Sequence, residues 1–563
     1  MWKFSELPYR RPDMEAIRAS LESAVAAFEA ATSFEAAKAA HLRTIEIGEA
    51  FSTLLEIAEV RNTMDTRDAF YAAEMEFLHA ETARLMPLQK RLTDALLASP
   101  FGADFDNAYG KELLRKEEIA RKTQSEAIVE DLIEESELEE VYKTTAASCE
   151  TVFRGETCNF YGLLKWMENP NRAVRKAAFE AWAGLYEGIA DKLDEVYDKL
   201  IAVRLRIAKK LNLESYTEVA YANMGRADYG PSEVAAFRAQ VRDEIVPAVA
   251  RYRKAQAERI GVDKLRYYDE GYMFPEGNAD PVGGEAELKA IAQDMYRSLS
   301  PETGEFFDFM MDHDLFDLTT RPGKHLGGYC TMIAGRKAPF IFSNFNGTAA
   351  DVGVLTHEAG HAFAGYCASR TQTLPDYYHS TSEIAEIHSM TMEHFAYPWM
   401  GDFYGEANAK KAQYIHLCDA LSAIPYLVSV DEFQHRVFEN PEMSAKERRT
   451  LWRAIENTYM PWRDYDGNAF LEEGGFWMQK QHIFLYPFYY IDYSLAQVCA
   501  FQLYGRMKEN RAAAWGDYLK LCRAGGSQSY FELLALANLQ SPFAPGAVAQ
   551  AIAPVIEELD KGF

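Results

Sequence analysis

Cysteine is scarce in this sequence, and the cysteines that are present do not pair. Seven of them are scattered over 563 residues, which is an odd number, and no C-x-x-C spacing occurs. A disulfide framework needs paired cysteines and an oxidising compartment, so this pattern argues against one. The sequence therefore predicts a protein whose thiols stay reduced.

Positive charge and long apolar runs are also in short supply. The formal net charge of −26 argues against nucleic acid and anionic membrane surfaces as partners. The N-terminal stretch MWKFSELPYRRPDM lacks the apolar run of a signal peptide. The sequence also lacks the run of roughly 18 apolar residues that a spanning helix needs. We therefore expect a soluble cytoplasmic protein that binds neither membranes nor nucleic acid.

Glycine and proline rarely interrupt the N-terminal part of the chain. Residues 12–150 therefore predict almost continuous helix, without internal repeats or low-complexity linkers. Alternating residues at 151–161 predict a small hairpin, and helical patterns resume at 171–185 and 189–211. The chain as a whole predicts a mainly α fold.

The predicted hairpin also marks a change in organisation along the chain. We place a domain boundary there, with an N-terminal helical lobe at 1–150 and a second domain at 151–563. The second domain contains the stretch with the clearest chemical signal.

The stretch from Asp351 to Tyr366, DVGVLTHEAGHAFAGY, carries that signal. Its apolar residues recur at helical spacing, which predicts a buried amphipathic helix. His357 and His361 are four residues apart, so a helix places both imidazoles on one face, with Glu358 beside them. Two imidazoles suit zinc, and a carboxylate beside the metal can take a proton from water.

Two unrelated histidines and a solvated glutamate are the alternative explanation of the H-E-x-x-H pattern. With 12 histidines in 563 residues, chance placement gives roughly 0.02 such motifs. A buried helix is also a poor place for three ionisable groups that have no partner. The sequence therefore favours a metal site, with one zinc ion (Zn2+) per chain.

The motif alone does not choose the third protein ligand. A short loop leads to a second helix, which is expected to pack antiparallel and to lie opposite the two histidines. Its carboxylates Glu383, Glu386 and Glu393 compete, because a zinc site with an open fourth position needs one more protein ligand. Spacing favours Glu386 as the ligand and Glu393 as an outer partner of the site. His388 and His379 are weaker competitors.

The stretch at 325–348, just before the metal helix, predicts a short sheet. Gly-rich turns separate two segments, and the second contains a run of aromatic and β-branched residues. An exposed strand edge would pair with an extended peptide, with Phe342 and Asn344 as candidate substrate-binding residues. Strands that only brace the metal helix explain the pattern equally well.

The segment from His482 to Tyr493, HIFLYPFYYIDY, contains one histidine and four tyrosines. Phenol and imidazole groups are suitable donors to a developing oxyanion. Packing of the rings in a core with satisfied hydroxyls is the alternative. Tyr486, Tyr490 and Tyr493 are four and three residues apart, so a helical backbone would place them on one face.

These motifs together resemble the thimet oligopeptidase and oligoendopeptidase F family of zinc metallopeptidases. Size and details look most like the short bacterial oligoendopeptidases of the Pz-peptidase type, and the resemblance is strongest from Gly327 to Tyr504. In that family the third ligand is a glutamate 29 residues after the first motif histidine, which falls here on Glu386. A second glutamate seven residues later falls on Glu393.

The resemblance implies a fold, an activity and a set of roles. The fold is an almost wholly helical clamshell, in which two lobes surround a deep substrate channel next to a small β-sheet. The activity is zinc-dependent cleavage of internal bonds in short unstructured oligopeptides, with Glu358 activating water. His482, Tyr490 and Tyr493 would stabilise the oxyanion, and Tyr486 would contact substrate.

Two other functions remain open. A zinc exopeptidase of the carboxypeptidase type would use the same chemistry but needs a group that recognises a free terminus, and the sequence does not expose one. A peptide-binding protein with a structural zinc site is the second. A structural site normally has four protein ligands and has no use for Glu358 as a base.

Overall fold

The computed structural model describes residues 2–321, 323–325 and 327–563. The helices of its first half are α1 (Met14–Glu29), α2 (Phe34–Met64), α3 (Ala69–Leu97), α4 (Gly102–Tyr109), α5 (Glu112–Thr123), α6 (Val129–Ala147), α7 (Phe160–Trp166), α8 (Arg172–Lys210), α9 (Tyr216–Asn223), α10 (Pro231–Gln240) and α11 (Val246–Arg259). Those of its second half are α12 (Glu285–Leu299), α13 (Pro301–Asp312), α14 (Ala350–Thr371), α15 (Ser382–Phe395), α16 (Met400–Tyr404), α17 (Ala409–Glu439), α18 (Ala445–Tyr459), α19 (Ala469–Glu472), α20 (Gln481–Leu485), α21 (Tyr490–Ala524), α22 (Tyr530–Leu536) and α23 (Ala547–Asp560).

Strands are few and short. They are β1 (Thr151–Phe153), β2 (Glu156–Cys158), β3 (Phe316–Thr319), β4 (Tyr329–Ile333) and β5 (Ala338–Phe345). Since helix accounts for 71% of the chain, the predicted mainly α class is confirmed. β1 and β2 pair antiparallel as the predicted hairpin. The clamshell arrangement of two lobes stays a prediction.

The N-terminal helices begin where the sequence offers capping side chains. Asp13 accepts a hydrogen bond from Ala16 N at 3.1 Å, and Ser33 accepts one from Ala36 N at 3.3 Å. Such caps satisfy backbone N–H groups that have no partner inside the helix. Short polar side chains therefore decide where the long N-terminal helices start.

α8 is one helix, whereas the sequence predicted two, at 171–185 and 189–211. The interval between the two predicted helices contains Gly188. One glycine inside a helix costs about 1 kcal/mol relative to alanine. The buried residues of α8 run from Arg175 to Ala208, and packing of that face outweighs the cost.

The chain divides into two compact units, each assembled from three separate segments. Unit 1 consists of Met1–Gln124, Asp280–Ala409 and Leu503–Gln540, and unit 2 of Ser125–Ala279, Lys410–Gln502 and Ser541–Phe563. The boundary at residue 150 stays a prediction, because these units follow spatial contacts and not the order of the chain.

Unit 1 contains the predicted sheet at 325–348, of which Leu326 lies outside the described residues. β5 is its central strand, paired antiparallel with β4 and parallel with β3. β3 was not predicted, because it is only four residues long and its partner lies beyond a long excursion of the chain. β4 is therefore the edge strand beside β5.

Helices cover both faces of β4. On one face, Tyr329 and Thr63 of α2 share a hydrogen bond of 2.6 Å, and Thr331 donates to Glu56 of α2. On the other face, Met332 lies against α14, because a Cβ at Gly365 would be 2.8 Å from its sulfur. Alternation of side chains along the strand produces this two-sided packing. The N-terminal helix α2 thus supports the strand that precedes the metal helix.

None of the helices within the described residues combines the length and apolar character needed to span a bilayer. All seven cysteines are free thiols, and six of them are buried.

Candidate metal centre

The loop between β5 and α14 is fixed by a side chain of the helix itself. Asp351, in the first turn of α14, accepts hydrogen bonds from Asn346 N at 3.1 Å and Gly347 N at 2.8 Å. Gly347 has a φ of 86°, a conformation that glycine adopts without a steric penalty. These contacts set the direction in which the metal helix leaves the sheet.

α14 and α15 approach each other closely at Gly360, inside the H-E-x-x-H motif. A Cβ atom there would lie 2.6 Å from Ser389 Cα and 2.7 Å from His388 O. Both are backbone atoms, so they cannot move aside as a flexible side chain would. Glycine at this position therefore lets α15 come near the face of α14 that carries His357 and His361.

This approach brings together the three predicted ligands. The ligand atoms of His357, His361 and Glu386 all lie within 4.8 Å of one another. Glu386 Oε2 is 3.3 Å from His357 Nε2 and 3.5 Å from His361 Nε2. Two imidazoles and one carboxylate are the donor set of many catalytic zinc sites.

Two further side chains orient these donors. His357 Nδ1 is 2.6 Å from Glu393 Oε1, which turns the opposite ring nitrogen towards Glu386. Ser389 donates to Glu386 Oε2 at 3.0 Å. Such outer partners fix the tautomer and direction of metal ligands. The sequence predicts Glu393 as an outer partner of the site, whereas the only sign of Ser389 is its position three residues after Glu386 on one helix face.

The contacts shift the pKa values of His357 and Glu386 in opposite directions. Burial lowers the pKa of His357, but hydrogen bonds with Glu386 and Glu393 outweigh this effect and raise the pKa well above its usual value. Burial raises the pKa of Glu386, yet the two histidines outweigh it and lower the pKa. Both shifts show that the Glu386 carboxylate favours a cationic partner, and a bound metal ion would supply that positive charge.

Glu358 lies beside this group, close enough for both histidines and Glu386 to affect its pKa. The residue is 8% exposed, and burial raises the pKa of its carboxyl group. Within the described residues, Glu358 Oε2 accepts no hydrogen bond. A buried carboxylate oxygen without a partner lowers the stability of the fold. The same oxygen can accept a proton from a water molecule, as a general base must. The residues present therefore fit a catalytic metal ion.

The weaker competitors predicted for the metal are not part of the cluster. Among the described residues, the ligand group does not include Glu383, His388 or His379. The ring of His388 is 6.2 Å from that of Tyr518, and burial lowers the pKa of His388 to about 3. The structure thus agrees with the choice of Glu386 over its neighbours, and ligation itself stays a prediction.

The candidate substrate residues of β5 make internal contacts. Phe342 is fully buried and stacks on Tyr329, with 4.8 Å between ring centroids. Asn344 donates to the carbonyl oxygens of His325 and Gly327, both at 2.8 Å. Their contact with substrate stays a prediction. Since β3 and β4 flank β5, an added peptide would pair with an edge strand and not with β5.

The aromatic segment belongs to unit 2. His482 lies on α20, and its ring centroid is 4.8 Å from Tyr490 and 6.4 Å from Tyr493, both in the first turn of α21. Tyr486 is 53% exposed and its ring is 5.8 Å from His482. The three tyrosines do not share one helix, because α20 ends before Tyr486 and Pro487 disfavours helix there.

Two family models match this chain. The description "Peptidase M3 N-terminal domain" matches residues 4–124, and "Peptidase family M3" matches residues 165–281 and 306–551. The second match alone covers more than half of the chain. The chain belongs to peptidase family M3.

Individual M3 relatives resemble this chain to different extents. The Oligoendopeptidase F homolog of Borreliella burgdorferi is 28% identical over 298 residues, 51% of this chain and 48% of that protein. The solved structure of Pz peptidase A with an inhibitor is 46% identical, with a TM-score of 0.95 and 99% of each chain covered. An oligoendopeptidase F structure from Bacillus anthracis is 42% identical, with a TM-score of 0.90 over 100% of this chain and 98% of that one. The chain thus spans about half the length of the Borreliella relative.

The close contact at Gly360 gives a prediction for this M3 chain. Gly360→Ala is expected to lower the stability by about 1–3 kcal/mol, the usual cost of overpacking. It should also weaken metal binding at least about tenfold, because α15 must move away with Glu386. Thermal unfolding and competition with a chelator measure the two effects.

Gly353→Ala is the matched control on the same helix. A Cβ at Gly353 meets nothing within 4 Å, so alanine there should stabilise α14 slightly or leave it unchanged. Equal behaviour of the two variants would show that the close approach of α15 does not shape the site.

Proposed function

We propose that this protein is a zinc-dependent endopeptidase that cleaves internal bonds of short, unstructured oligopeptides. The observation that carries the proposal is the cluster of His357, His361 and Glu386, beside which one carboxylate oxygen of Glu358 accepts no hydrogen bond from the described part of the chain. Membership in family M3 supports peptide hydrolysis. The names of relatives, oligoendopeptidase F and Pz peptidase, support oligopeptides as the substrates.

Different residues of the chain would bind the metal, orient a ligand and transfer the proton in this reaction. His357, His361 and Glu386 would hold the ion, and Glu393 keeps His357 oriented through its hydrogen bond. A zinc ion bound there polarises the scissile carbonyl and makes water more acidic. Glu358 accepts the proton of the attacking water and then delivers it to the leaving amine.

The transition state also needs donors to the developing oxyanion, and a surface that aligns the peptide. We assign the first role to the hydroxyl groups of Tyr490 and Tyr493 with His482, and substrate contact to Tyr486. Peptide backbone would align along an edge strand of the sheet whose central strand carries Phe342 and Asn344. The exposed ring of Tyr486 supports its assignment.

Digestion of a mixed library of short peptides, with products read by mass spectrometry, tests the proposal. Internal cleavage that stops with chelator and returns with zinc is expected. Parallel reconstitution with cobalt and manganese ranks the metals. Peptides blocked at both termini separate an endopeptidase, which still cleaves them, from a carboxypeptidase-like enzyme, which does not. Binding of peptides without cleavage would overturn the proposal.

The tyrosine assignment predicts a specific kinetic result. Tyr490→Phe or Tyr493→Phe should lower kcat by about 10²–10³-fold with KM nearly unchanged, because a hydroxyl that donates only in the transition state leaves substrate binding alone. The melting temperature should barely move, since ring and packing remain. Steady-state kinetics beside thermal unfolding make the measurement.

The packing alternative makes the opposite prediction for the same variants. A hydroxyl that satisfies a buried acceptor would cost about 1–3 kcal/mol of stability when removed. Near-normal kcat with lowered melting temperatures in both variants would return the segment to aromatic packing.

A further inference from the structure

The four residues between α20 and α21 form a turn with an unusual backbone conformation. Tyr489 N donates to Tyr486 O at 3.2 Å, so Pro487 is the second residue of the turn and Phe488 the third. Phe488 has a φ of 64°. Proline followed by a positive φ is the pattern of a type II turn, in which the third residue is usually glycine. An aromatic residue there is strained, and surrounding contacts must hold it.

The side chain of Phe488 supplies one set of these contacts. It is fully buried, and its ring centroid is 4.8 Å from that of His435, 5.8 Å from Tyr221 and 5.8 Å from Phe438. Tyr221 and His435 are themselves joined by a hydrogen bond of 3.2 Å. The ring thus occupies an aromatic pocket in which two of the surrounding side chains are hydrogen-bonded to each other.

Two buried side chains hold the backbone of the same residue. Gln434 Oε1 accepts from Phe488 N at 3.0 Å, while its amide nitrogen donates to Val430 O at 3.2 Å within α17. Arg226 Nη2 donates to Phe488 O and to Asp492 Oδ1, both at 2.6 Å. Arg226 therefore ties the turn to the first turn of α21, between Tyr490 and Tyr493.

The turn decides how the aromatic segment folds upon itself. It brings the rings of Tyr490, Tyr486 and Tyr489 to 4.8, 5.8 and 6.0 Å from the ring of His482. A Phe488 in the ordinary extended or helical region would send α21 away in another direction and separate these rings from His482. Strain at one residue is therefore coupled to the geometry of the cluster.

We propose that Phe488, Gln434 and Arg226 are positioning residues, which hold the left-handed turn and thereby set Tyr490 and Tyr493 relative to His482 for oxyanion stabilisation. The proposal rests on the function proposed above for those tyrosines. The three residues act through the turn and not by contact with the substrate.

Gln434→Leu is the decisive variant, because it removes the acceptor of Phe488 N and keeps the bulk of the side chain. It should lower kcat by about 10–100-fold, the cost of a small misplacement of catalytic groups, with KM and bound metal unchanged. Gln434→Glu keeps an acceptor oxygen and should recover most of the loss. Phe488→Gly relieves the strain and so should fold, but it lacks the anchoring ring and should lower kcat as Gln434→Leu does.

Tyr465→Phe is the stability control. Tyr465 is fully buried in unit 2 and donates to Glu456, so its loss should lower the melting temperature and leave kcat unchanged. If Gln434→Leu and Phe488→Gly only lower the melting temperature while Tyr490→Phe or Tyr493→Phe lowers kcat, the positioning role is refuted and the tyrosine assignment stands. If neither tyrosine variant changes kcat, the oxyanion assignment fails and this proposal fails with it.

Discussion

Glu358→Gln is expected to bind metal as the unchanged protein does and to lose peptide cleavage by at least about 10²–10⁴-fold, the range for a positioned general base. The amide has the size of the carboxylate but cannot take a proton from water. His357, His361 and Glu386 are unchanged in this variant, so the metal should remain. Metal analysis of the purified variant beside kcat/KM for one defined peptide gives both quantities.

Glu305→Gln provides the matched isosteric control for this result. Glu305 is an exposed carboxylate that accepts a hydrogen bond from Tyr366 of α14 at 3.0 Å. Glu305 lies on α13, so its conversion to an amide makes the same chemical change beside α14 without touching the cluster, and activity should persist. A Glu358→Gln variant within tenfold of the wild-type rate would reject Glu358 as the base.

Most of the metal cluster could be predicted from the sequence, because local helix geometry determines it. His357, Glu358 and His361 depend only on the periodicity of one helix. Glu386 and Glu393 depend on one further step, the antiparallel packing of the next helix, which a short loop enforces. The described ligand group contains His357, His361 and Glu386, and the roles of all five residues stay predictions.

Contacts between distant parts of the chain could not be predicted in the same way. The hydrogen bonds of Thr63 and Glu56 in α2 to β4 join residues about 270 positions apart. No sequence pattern predicts a contact over that separation. Ser389 was missed for another reason, since a serine in a helix is usually unremarkable. The role of Ser389 depends on its hydrogen bond to the carboxylate of Glu386.

In the aromatic segment, helical spacing of the tyrosines does not predict the backbone, because Phe488 adopts a strained conformation. The spacing of Tyr486, Tyr490 and Tyr493 suggests one helix, but Pro487 ends the preceding helix and Phe488 takes a φ of 64°. Pro487 alone could have predicted that the preceding helix ends there. The left-handed conformation of Phe488 could not be predicted, because buried partners from α17 and from the loop before α10 support it. Such conflicts between local preference and structure are expected at functional sites.

Glu386→Ala should weaken metal binding by more than about 10²-fold, since even the loss of an outer partner costs about 10–100-fold. Glu393→Gln should fall between this variant and the wild type, because it alters only the partner of His357. Competition with a chelator of known affinity ranks the three proteins, and thermal unfolding of the metal-free forms shows whether each still folds.

Glu383→Ala is the control that separates ligation from burial. Glu383 lies one turn earlier on α15 and is 1% exposed, against 4% for Glu386, so both substitutions remove a buried carboxylate from the same helix. Burial alone would make the two variants equally poor in stability and in metal binding. Ligation by Glu386 makes only that variant lose the metal, because the histidine Nε2 atoms lie 3.3 and 3.5 Å from Glu386 Oε2. A Glu386→Ala protein that keeps both metal and activity would mean that the third ligand lies outside this pair of helices.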